Sequence, residues 1–532
     1  MRRLAGLVLG LSAAVALGAC GSSPQIVQIT PSRGARGVRT DQTVSIVFDR
    51  AMNEASVNQR FRLQPAARGS ISWPDDHTLV FSHAVLRTDT DYRAILASGY
   101  ASRAGAVNGL THSWPFHTES PPSMTGSSPS SGQSGVDPSA YIDLSFSRPM
   151  NLSTLASAIS ISPQTSFSLV PDASDANSVH LVPATLLQPG RRYDVAVSSA
   201  ARDRHGNDLP GRQRFHFYTG PVQPLRQWIT FTVSPTSASA RGGIYVVNQL
   251  GLPRPLLSVP SSAFSWSPDG TSLLVHTLTG GWIDAPLGRP ALPLPFNASW
   301  AGALAPGLGY AYLGAGSLSV LTAGGEVVSV AQGVTTASVS PDGRRIAFAV
   351  TAGSETQIRA FDPGLRAQYL IQAEHGNVDG LTWAPDASAI AYRMLAPDGR
   401  SSQIKVRYLT GAGASRLVTR GQVSDPLWVD PQHLLVTAPG GAGTGDKVFV
   451  LSLATAPVTI SAADAMPQGP VDVTSPAPSG DGHQIAFVSA SGRAEGRQLY
   501  VMNADGTGLR QLTDWDPRAF PYSVAMPAWT SP

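Results

Sequence analysis

Short alternations of apolar and polar residues run along almost the whole chain, and Gly, Pro and Asp separate them. An alternation with period two places apolar side chains on one face of a β-strand, and the separating residues favour turns. The sequence contains no sustained heptad or amphipathic run of the kind that forms a long helix. The pattern therefore predicts an all-β protein.

The first set of predicted strands lies within residues 28–119. Val44–Phe48 alternates cleanly, Leu79–Phe81 and Tyr92–Leu96 follow, and Trp114–Thr118 closes the set. Short strands punctuated by turn residues are typical of an antiparallel β-sandwich. We therefore predict one sandwich domain over residues 28–119.

A second copy of the same pattern follows about one hundred residues later, the usual length of one sandwich domain. The repeated landmarks are Ile142–Met150, which matches the phrase ending at Met52, then the strand Arg192–Val197 and the closing strand Phe215–Thr219. Three landmarks in the same order indicate a tandem duplication, with the second domain over residues 120–221. Its beginning, Ser120–Gly135, is rich in Ser, Gly and Pro, so it suits a linker that also supplies the first strand.

The second copy contains the phrases Phe146-Ser-Arg-Pro-Met150, Leu187-Gln-Pro-Gly-Arg-Arg-Tyr193 and Gly206-Asn-Asp-Leu209. In these phrases it resembles the bacterial Ig-like domain of S-layer and other surface proteins. The first copy shares the resemblance, although Leu86–Tyr92 lacks the Pro-Gly pair. We expect Met52 and Met150 to pack in the two sandwich cores rather than to bind a ligand.

A different phrase recurs from residue 222 onward: a strand ending near a Trp or aliphatic residue, a Ser-Pro-Asp-Gly turn, and an alternating apolar strand. Clear copies are Phe264–Gly270, Ala337–Gly343 and Leu381–Asp386; weaker ones are Leu427–Pro431 and Pro478–Gly482; degenerate ones are Ala298–Ala303 and Pro527–Trp529. Their starts lie roughly thirty-five to fifty residues apart, the period of a four-stranded propeller blade. We therefore predict a β-propeller over residues 222–532.

The recurring turn has a simple physical explanation. Pro fixes φ, Asp bonds the backbone of its own turn, and Gly adopts the positive φ that closes it. We therefore assign the repeated Asp to the turn rather than to catalysis or calcium binding. The predicted turn residues are Ser267, Pro268, Asp269, Gly270, Ser340, Pro341, Asp342, Gly343, Pro385, Asp386, Asp481 and Gly482.

The two ends of the repeat region complement each other. The last copy, Pro527–Trp529, stops where a new blade would begin, whereas residues 228–259 have the pattern of a blade without its first strand. We predict that the C-terminal strand completes the N-terminal blade and closes the ring. The count is then seven blades, or six if the degenerate stretch Ser299–Gln332 is only a loop.

Further phrases of the blades are Ile485-Ala-Phe487, Gln498-Leu-Tyr-Val-Met502 and the Leu-Thr pair that ends at Thr513. Together with Trp-Ser-Pro-Asp-Gly they make the last three-fifths of the chain resemble the TolB-like propeller family, whose members have six blades. The resemblance implies protein contacts in the cell envelope. It identifies no partner, because two sandwich domains stand where TolB has its own N-terminal domain.

The N-terminus has the pattern of an export signal around the single cysteine, Cys20. A basic start precedes the apolar run Leu4–Leu17, and Leu17–Cys20 resembles a bacterial lipobox. The resemblance implies a diacylglycerol on Cys20, with residues 1–19 removed as a signal peptide and residues 20–27 acting as a tether. An ordinary secretory peptide is the alternative. With one cysteine, the chain forms no internal disulfide.

Composition narrows the classes of protein that remain. The chain of 532 residues is 42% hydrophobic and 14% charged, with 52 Gly and 43 Pro, which suits a turn-rich globular protein of several domains. A formal charge of +3 is too small to indicate a nucleic-acid-binding protein. After the leader, no apolar run approaches the ~20 residues of a spanning helix.

The sequence contains no motif of a familiar enzyme class. Gly-x-Ser-x-Gly, His-Glu-x-x-His and paired cysteines are all absent. Gly440–Lys447 departs from a phosphate-binding loop because Asp446 stands where Lys is required, and Ser402–Lys405 leads into a strand rather than a helix. The histidines, among them His375, lack metal-ligand spacing. We therefore expect no catalytic residue, metal or cofactor.

These observations lead to a prediction of a non-enzymatic, extracytoplasmic protein of the cell envelope. A lipid on Cys20 would anchor it to the membrane, and its propeller would bind a protein or peptide partner. One alternative is a propeller hydrolase or lyase of glycans or peptides with catalytic residues on its loops; carboxylates or histidines converging at one mouth would favour it. A second alternative is a purely architectural spacer.

Overall fold

The computed structural model describes residues 22–235, 242–248, 251, 253–396, 401–410, 413–440, 445–460, 472–490, 497–513 and 522–530. Cys20 and the predicted signal peptide lie outside these residues. Strands dominate the described part of the chain, where two short α-helices and one short 3-10 helix, Leu453–Thr455, accompany them. The predicted all-β class is confirmed. A search of the described helices finds none with the length and apolar character needed to cross a bilayer.

The first domain packs two antiparallel sheets face to face. Its elements are β1 (Ile26–Thr30), β2 (Val44–Phe48), α1 (Glu54–Asn58), β3 (Phe61–Gln64), β4 (Gly69–Asp75), β5 (Thr78–His83), β6 (Asp91–Leu96), β7 (Tyr100–Ala101), β8 (Val107–Asn108) and β9 (His112–His117). One sheet has the order β1-β2-β5-β4 and the other β3-β6-β9. Alternate residues of β2, Val44, Ile46 and Phe48, are buried in the core between them, as the period-two pattern requires.

The second domain repeats this arrangement. Its elements are β10 (Met124–Ser128), β11 (Ile142–Phe146), α2 (Leu152–Ala158), β12 (Ile159–Ser162), β13 (Phe167–Pro171), β14 (Ser178–Pro183), β15 (Arg192–Val197) and β16 (Gln213–Tyr218). The sheets have the orders β10-β11-β14-β13 and β12-β15-β16. A stacked aromatic pair recurs in each copy: Tyr92 on Phe116 at 5.7 Å, and Tyr193 on Phe217 at 5.6 Å, 101 positions later.

The two α-helices follow the methionines that the sequence singled out. Met52 and Met150 are 1% and 4% exposed, so both pack in the interior. The next residue caps each helix: the Asn53 side chain accepts a hydrogen bond from the Ser56 amide, and that of Asn151 from the Ser153 and Thr154 amides. These helices of five and seven residues are too short to produce an amphipathic repeat, which is why the pattern did not reveal them.

Seven antiparallel sheets follow in succession and form the blades of the propeller. Their strands are β17 (Ile229–Pro235), β18 (Gly243–Val247), β19 (Arg254–Leu257), β20 (Ser261–Trp266), β21 (Ser272–Thr277), β22 (Trp282–Pro286), β23 (Leu292–Pro293), β24 (Trp300–Ala303), β25 (Tyr310–Gly314), β26 (Ser317–Leu321), β27 (Val327–Gln332), β28 (Val334–Val339), β29 (Ile346–Ala352), β30 (Glu355–Asp362), β31 (Ala367–His375), β32 (Asn377–Trp383), β33 (Ala389–Leu395), β34 (Ser402–Tyr408), β35 (Arg416–Gly421), β36 (Leu427–Asp430), β37 (His433–Pro439), β38 (Asp446–Ser452), β39 (Val473–Pro478), β40 (Gln484–Ala490), β41 (Arg497–Asn503), β42 (Arg510–Gln511) and β43 (Tyr522–Trp529). Blade 1 is β19-β18-β17-β43, and blades 2 to 7 are β20–β23, β24–β27, β28–β31, β32–β35, β36–β38 and β39–β42.

The ring closes through the C-terminal strand, as predicted. β43 pairs antiparallel with β17 from Ile229 opposite Trp529 to Pro235 opposite Tyr522. A separate apolar cluster packs each blade against the next, including blade 7 against blade 1, where Val524 meets Phe231 and Val488. The degenerate stretch Ser299–Gln332 forms a complete four-stranded blade, so the described residues give seven blades rather than six.

A glycine of the recurring turn gives a first test of how closely the blades approach. Gly343 has a φ of +69°, and a Cβ there would lie 2.4 Å from the Ala305 amide nitrogen and 2.6 Å from Pro268 Cγ. Gly353 has the same φ, with no atom within 4 Å of its Cβ position.

Gly353→Ala should therefore lower the free energy of unfolding by only about 1 kcal/mol, the cost of the backbone conformation. Gly343→Ala should lower it by about 2–4 kcal/mol, because neighbouring backbone must also move. Urea titration of both variants checks this, and equal losses would contradict the contact between the turns.

Candidate functional site in the propeller channel

The innermost strands of the seven blades meet around the propeller axis and line its channel. They are β20, β24, β28, β32, β36, β39 and β43. We call the end where these strands begin the entry mouth, and the end where they finish the exit mouth. The Ser-Pro-Asp-Gly turns follow the innermost strands, so they lie at the exit mouth.

Register shifts interrupt six of the seven innermost strands. They occur within β20, β28, β32, β36, β39 and β43. Three of these bulges contain a residue with positive φ: Gly380 at 57°, Ser475 at 50° and Met526 at 48°. Such a backbone is unfavourable for Ser and Met, and bulges of this kind are common beside functional sites. Register shifts also occur in the outer strands β19, β27, β31 and β35, so the irregularity of the channel lies chiefly in the positive φ of Ser475 and Met526.

An arginine holds two carboxylates at the entry mouth. Arg393 on β33 donates two hydrogen bonds of 2.9 Å to the carboxylate of Asp379 on β32, and its Nη2 lies 3.0 Å from Asp425 Oδ1. Gly380 lies against the Asp425 carboxyl, since a Cβ at Gly380 would fall within 3 Å of it. Although the Asp425 side chain remains 55% exposed, this contact desolvates one side of the carboxyl and raises its pKa; Arg393 opposes the rise and the charge of Asp379 adds to it.

The raised pKa of Asp425 predicts how stability depends on pH. A carboxyl with a raised folded-state pKa binds more protons in the folded than in the unfolded protein, so stability falls as the pH rises through that pKa. Asp425→Asn should therefore raise the thermal midpoint at pH 7, but only slightly because water screens a side chain that is 55% exposed, and the gain should vanish at about pH 3, where both states are protonated. Asp446→Asn, at an exposed residue that begins β38, is the charge-matched control and should change little. A lower midpoint for Asp425→Asn at pH 7 would contradict this prediction.

A second ion pair lies at the entry mouth in blade 7. Arg497, the first residue of β41, donates to Asp472 Oδ2 at 2.8 Å and to Thr474 Oγ1 at 2.6 Å. Asp472 itself has a φ of 64°, which is uncommon for a residue with a side chain. The entry mouth therefore carries carboxylates, but Asp379 and Asp472 each form an ion pair with an arginine.

The predicted turn residues lie at the exit mouth and hold the turns together. Ser267, Ser340 and Ser479 each donate from Oγ to the Asp two positions on, at 2.6, 2.5 and 2.6 Å. Each of these Asp side chains also accepts a backbone amide, and the Gly that follows it has a φ between 66° and 74°. In the fourth copy, Asp386 accepts from the Ser388 amide and hydroxyl, while Ala387 has the positive φ. The repeated carboxylates are engaged within their own turns.

A cavity of about 380 Å³ opens between the innermost strands of blades 2 to 5, near the exit mouth. Its walls consist of Ser265, Trp266, Pro268, Trp300, Ala301, Gly302, Ala303, Ala337, Ser338, Val339, Ser340, Pro341 and Leu381. None of these lining residues carries a titratable side chain. Ser265 Oγ is buried and has no hydrogen-bond partner in the described part of the chain, so it offers a hydroxyl to a bound group.

One buried polar group between blades 4 and 5 was not foreseen from the sequence. Glu374 on β31 accepts hydrogen bonds from Tyr392, from Ser415 at 2.6 Å and from Lys405 Nζ at 2.8 Å. Burial alone would raise the pKa of Glu374, but the bonds from Lys405, Ser415 and Tyr392 outweigh burial and lower it. These residues anchor two blades to each other, whereas the neighbouring His375 is exposed.

Among the described residues, three metal-ligating side chains come together only in the Ig-like pair. Glu119, Asp203 and His205 place their ligand atoms within 4.8 Å of one another. The Arg148 guanidinium already lies 2.6 Å from Glu119 and 3.7 Å from Asp203, where it supplies the positive charge. The cluster therefore fits an internal ion pair rather than a metal ion.

Comparison with known proteins identifies the N-terminal part. The family model of the bacterial Ig-like domain matches residues 21–118 and 119–219. The chain thus carries two bacterial Ig-like domains. No curated protein matches it.

Solved structures that resemble the chain include several propellers. TolB from Acinetobacter baumannii is 14% identical with a TM-score of 0.37, over 70% of this chain and 83% of that one. An oligogalacturonate lyase from Vibrio parahaemolyticus is 13% identical with a TM-score of 0.37, over 55% and 88%. The propeller domain of the Trilobed protease from Pyrococcus furiosus is 13% identical with a TM-score of 0.30, over 48% and 71%. Scores at this level carry no argument about function, so the blade assignment above rests on strand pairing.

Proposed function

We propose that this chain, with two bacterial Ig-like domains before a closed seven-bladed propeller, is an extracytoplasmic binding protein of the bacterial cell envelope. Its propeller binds a segment of a protein or peptide partner, and a lipid on Cys20 anchors it to the membrane. Labelling with a fatty acid, which Cys20→Ser should abolish, tests the anchor separately from the binding.

The cavity near the exit mouth carries this proposal. Two tryptophans, prolines and small side chains form its walls, together with the unpaired hydroxyl of Ser265. Walls of this kind suit an uncharged or apolar peptide segment that also offers one hydrogen bond. Because the lining has no acid, base or nucleophile poised for reaction, binding is the activity that its chemistry supports.

A substitution that fills the cavity tests the proposal. Ser338 lines the cavity from β28, so Ser338→Trp should block it and abolish capture of the partner from solubilised envelopes. Ser329→Trp introduces the same residue at an exposed position of β27 and should leave capture unchanged. Equal thermal midpoints would show that both variants are folded. Undiminished capture by folded Ser338→Trp would exclude this cavity as the binding site.

One observation favours the enzymatic alternative. Asp425 combines a raised pKa with a side chain that is 55% exposed at the entry mouth, where it could reach a substrate as a general acid would. A hydrolase or lyase built on it should lose turnover of glycan or peptide substrates in Asp425→Asn while keeping its fold. Turnover that survives this substitution would remove Asp425 from the candidates.

A further inference from the structure

The second Ig-like domain has a polar groove of about 480 Å³ on the outward face of its three-stranded sheet β12-β15-β16. Alternation along the strands turns Ile161, Val195 and Phe215 inward, where they are buried. The residues that line the groove from the outward side and from two loops are Ser131, Ser160, Ser162, Arg192, Asp194, Arg212, Arg214 and His216. The groove therefore presents guanidinium and hydroxyl groups and buries its apolar side chains.

Two of the three arginines are available to a ligand. Arg192 is paired with Asp194 at 2.7 Å. Arg212 and Arg214 are exposed, and neither forms a hydrogen bond or ion pair with any residue that the structure describes. A guanidinium presents paired N–H donors that match carboxylate and phosphate oxygens. The groove thus has an excess of positive charge with unused donors.

The first Ig-like domain provides an internal comparison for this charge. Counting 101 positions back from Arg192, Arg212 and Arg214 gives Asp91, Thr111 and Ser113. In the first copy, His117 lies 2.9 Å from Asp91 and 3.1 Å from Asp89, and the exposed arginines of the same face, Arg62 and Arg93, stand at other positions. Because that copy forms the same sheet without arginine at positions 91, 111 and 113, the fold does not require arginine there.

We propose that this groove binds an anionic glycan of the cell envelope. The arginines bind its carboxylate or phosphate groups, and Ser131, Ser160 and Ser162 bind its sugar hydroxyls. The apolar residues of the lining, Ile161, Val195, Ala196 and Phe215, are each at most 8% exposed, so the side chains that extend into the groove are the polar and charged ones. This site is separate from the propeller cavity, so it does not depend on the function proposed for the propeller.

The test reverts the groove to the residues of the first domain in the full mature chain. Arg212→Thr together with Arg214→Ser should weaken binding to hyaluronate, a carboxylate glycan, or to poly(N-acetylglucosamine 1-phosphate), a phosphate glycan, by about tenfold or more at low salt. The matched control, Arg62→Ser with Arg93→Ser, removes the same charge from exposed positions of the first domain and should leave binding unchanged. Neutral dextran should not bind.

The two polymers distinguish carboxylate from phosphate recognition, and binding of either one with loss in the groove variant supports the site. If both double variants weakened polymer binding equally, the loss would depend only on the net charge of the protein and not on the groove, which would overturn the proposal. So would an absence of binding to both polymers. Groove-dependent binding of poly-glutamate or of acidic lipid vesicles, without binding of either glycan, would overturn it in favour of a protein or membrane ligand.

Discussion

Val524→Asp is expected to unfold the propeller. Val524 lies on β43 with no exposed surface and packs with Ile229, Phe231 and Val488 between blade 7 and blade 1. A carboxylate there would be desolvated among apolar side chains that offer it no partner. We expect a loss of at least about 4–5 kcal/mol, comparable with the whole stability of many domains. Near-ultraviolet circular dichroism and limited proteolysis of the C-terminal half would detect the loss.

The adjacent residue provides the control for this experiment. Ser523 on β43 is partly exposed and pairs with Ser234 across the closing ladder. Ser523→Asp should keep the native fold and change the thermal midpoint only slightly, because its side chain reaches water. If Val524→Asp retained the unfolding midpoint of the unsubstituted protein, β43 would not be the strand that closes the ring.

Glu119→Ala is expected to loosen the joint between the two Ig-like domains. The Glu119 side chain is 9% exposed, and its carboxylate accepts hydrogen bonds from the Thr40 amide at 3.3 Å and from Asn207 at 2.9 Å. It also lies 2.8 Å from His205 Nδ1 and 2.6 Å from Arg148. Alanine would leave the buried Thr40 amide and Asn207, and the partly buried Arg148 and His205, without their common acceptor, at a cost of about 3–5 kcal/mol. Amide hydrogen exchange should accelerate around Thr40 and Asn207.

The same carboxylate makes the joint sensitive to acid. Burial alone would raise the pKa of Glu119, but hydrogen bonds from Asn207, His205 and the Thr40 amide outweigh burial and lower it. A lowered folded-state pKa means that the stabilisation is present above the unfolded value of about 4.3 and is lost as the pH falls through the folded value. Glu54→Ala, at an exposed residue of α1, is the control and should leave exchange at the joint unchanged. Equal exchange in Glu119→Ala and the unsubstituted protein would show that the joint does not depend on this residue.

The propeller could be predicted from the sequence because its repeated information is local. In each Ser-Pro-Asp-Gly turn the Ser side chain hydrogen-bonds the Asp two residues later. Every clear copy therefore predicts one innermost strand and the strand after it. Blade 3 lacks this turn, yet Tyr310–Gly314 still alternates in burial and pairs with Trp300–Ala303, so its strands form although the turn motif is missing. The cut-short copy at Trp529 likewise indicated the closing strand.

The contacts that the sequence did not reveal join distant residues. Arg148 and His205 reach Glu119 from 29 and 86 positions away, and Lys405 reaches Glu374 from 31. No spacing rule connects such pairs. A faint signal existed for the joint: the first domain ends in Thr118-Glu119 and the second in Thr219-Gly220, so only the boundary between the two domains has the acid.

The candidate site was even less accessible to sequence reasoning. The cavity depends on how residues of four separate strands, among them the small Gly302 and Ala337, leave space beside Trp266 and Trp300. Its volume is set by the packing of the ring and not by any one motif. The groove on the second Ig-like domain was missed for another reason: its arginines replace residues of the first copy at positions that do not affect the fold.

Site-specific crosslinking in living cells tests the central claim, binding in the propeller cavity, most directly. A photoreactive amino acid at position 338 places the probe in the cavity, and the same amino acid at the exposed position 329 serves as the control. We predict a discrete adduct with one envelope protein or peptide after irradiation of the cells carrying the probe at 338, and none at 329. No adduct at 338, or the same adducts at both positions, would contradict the account.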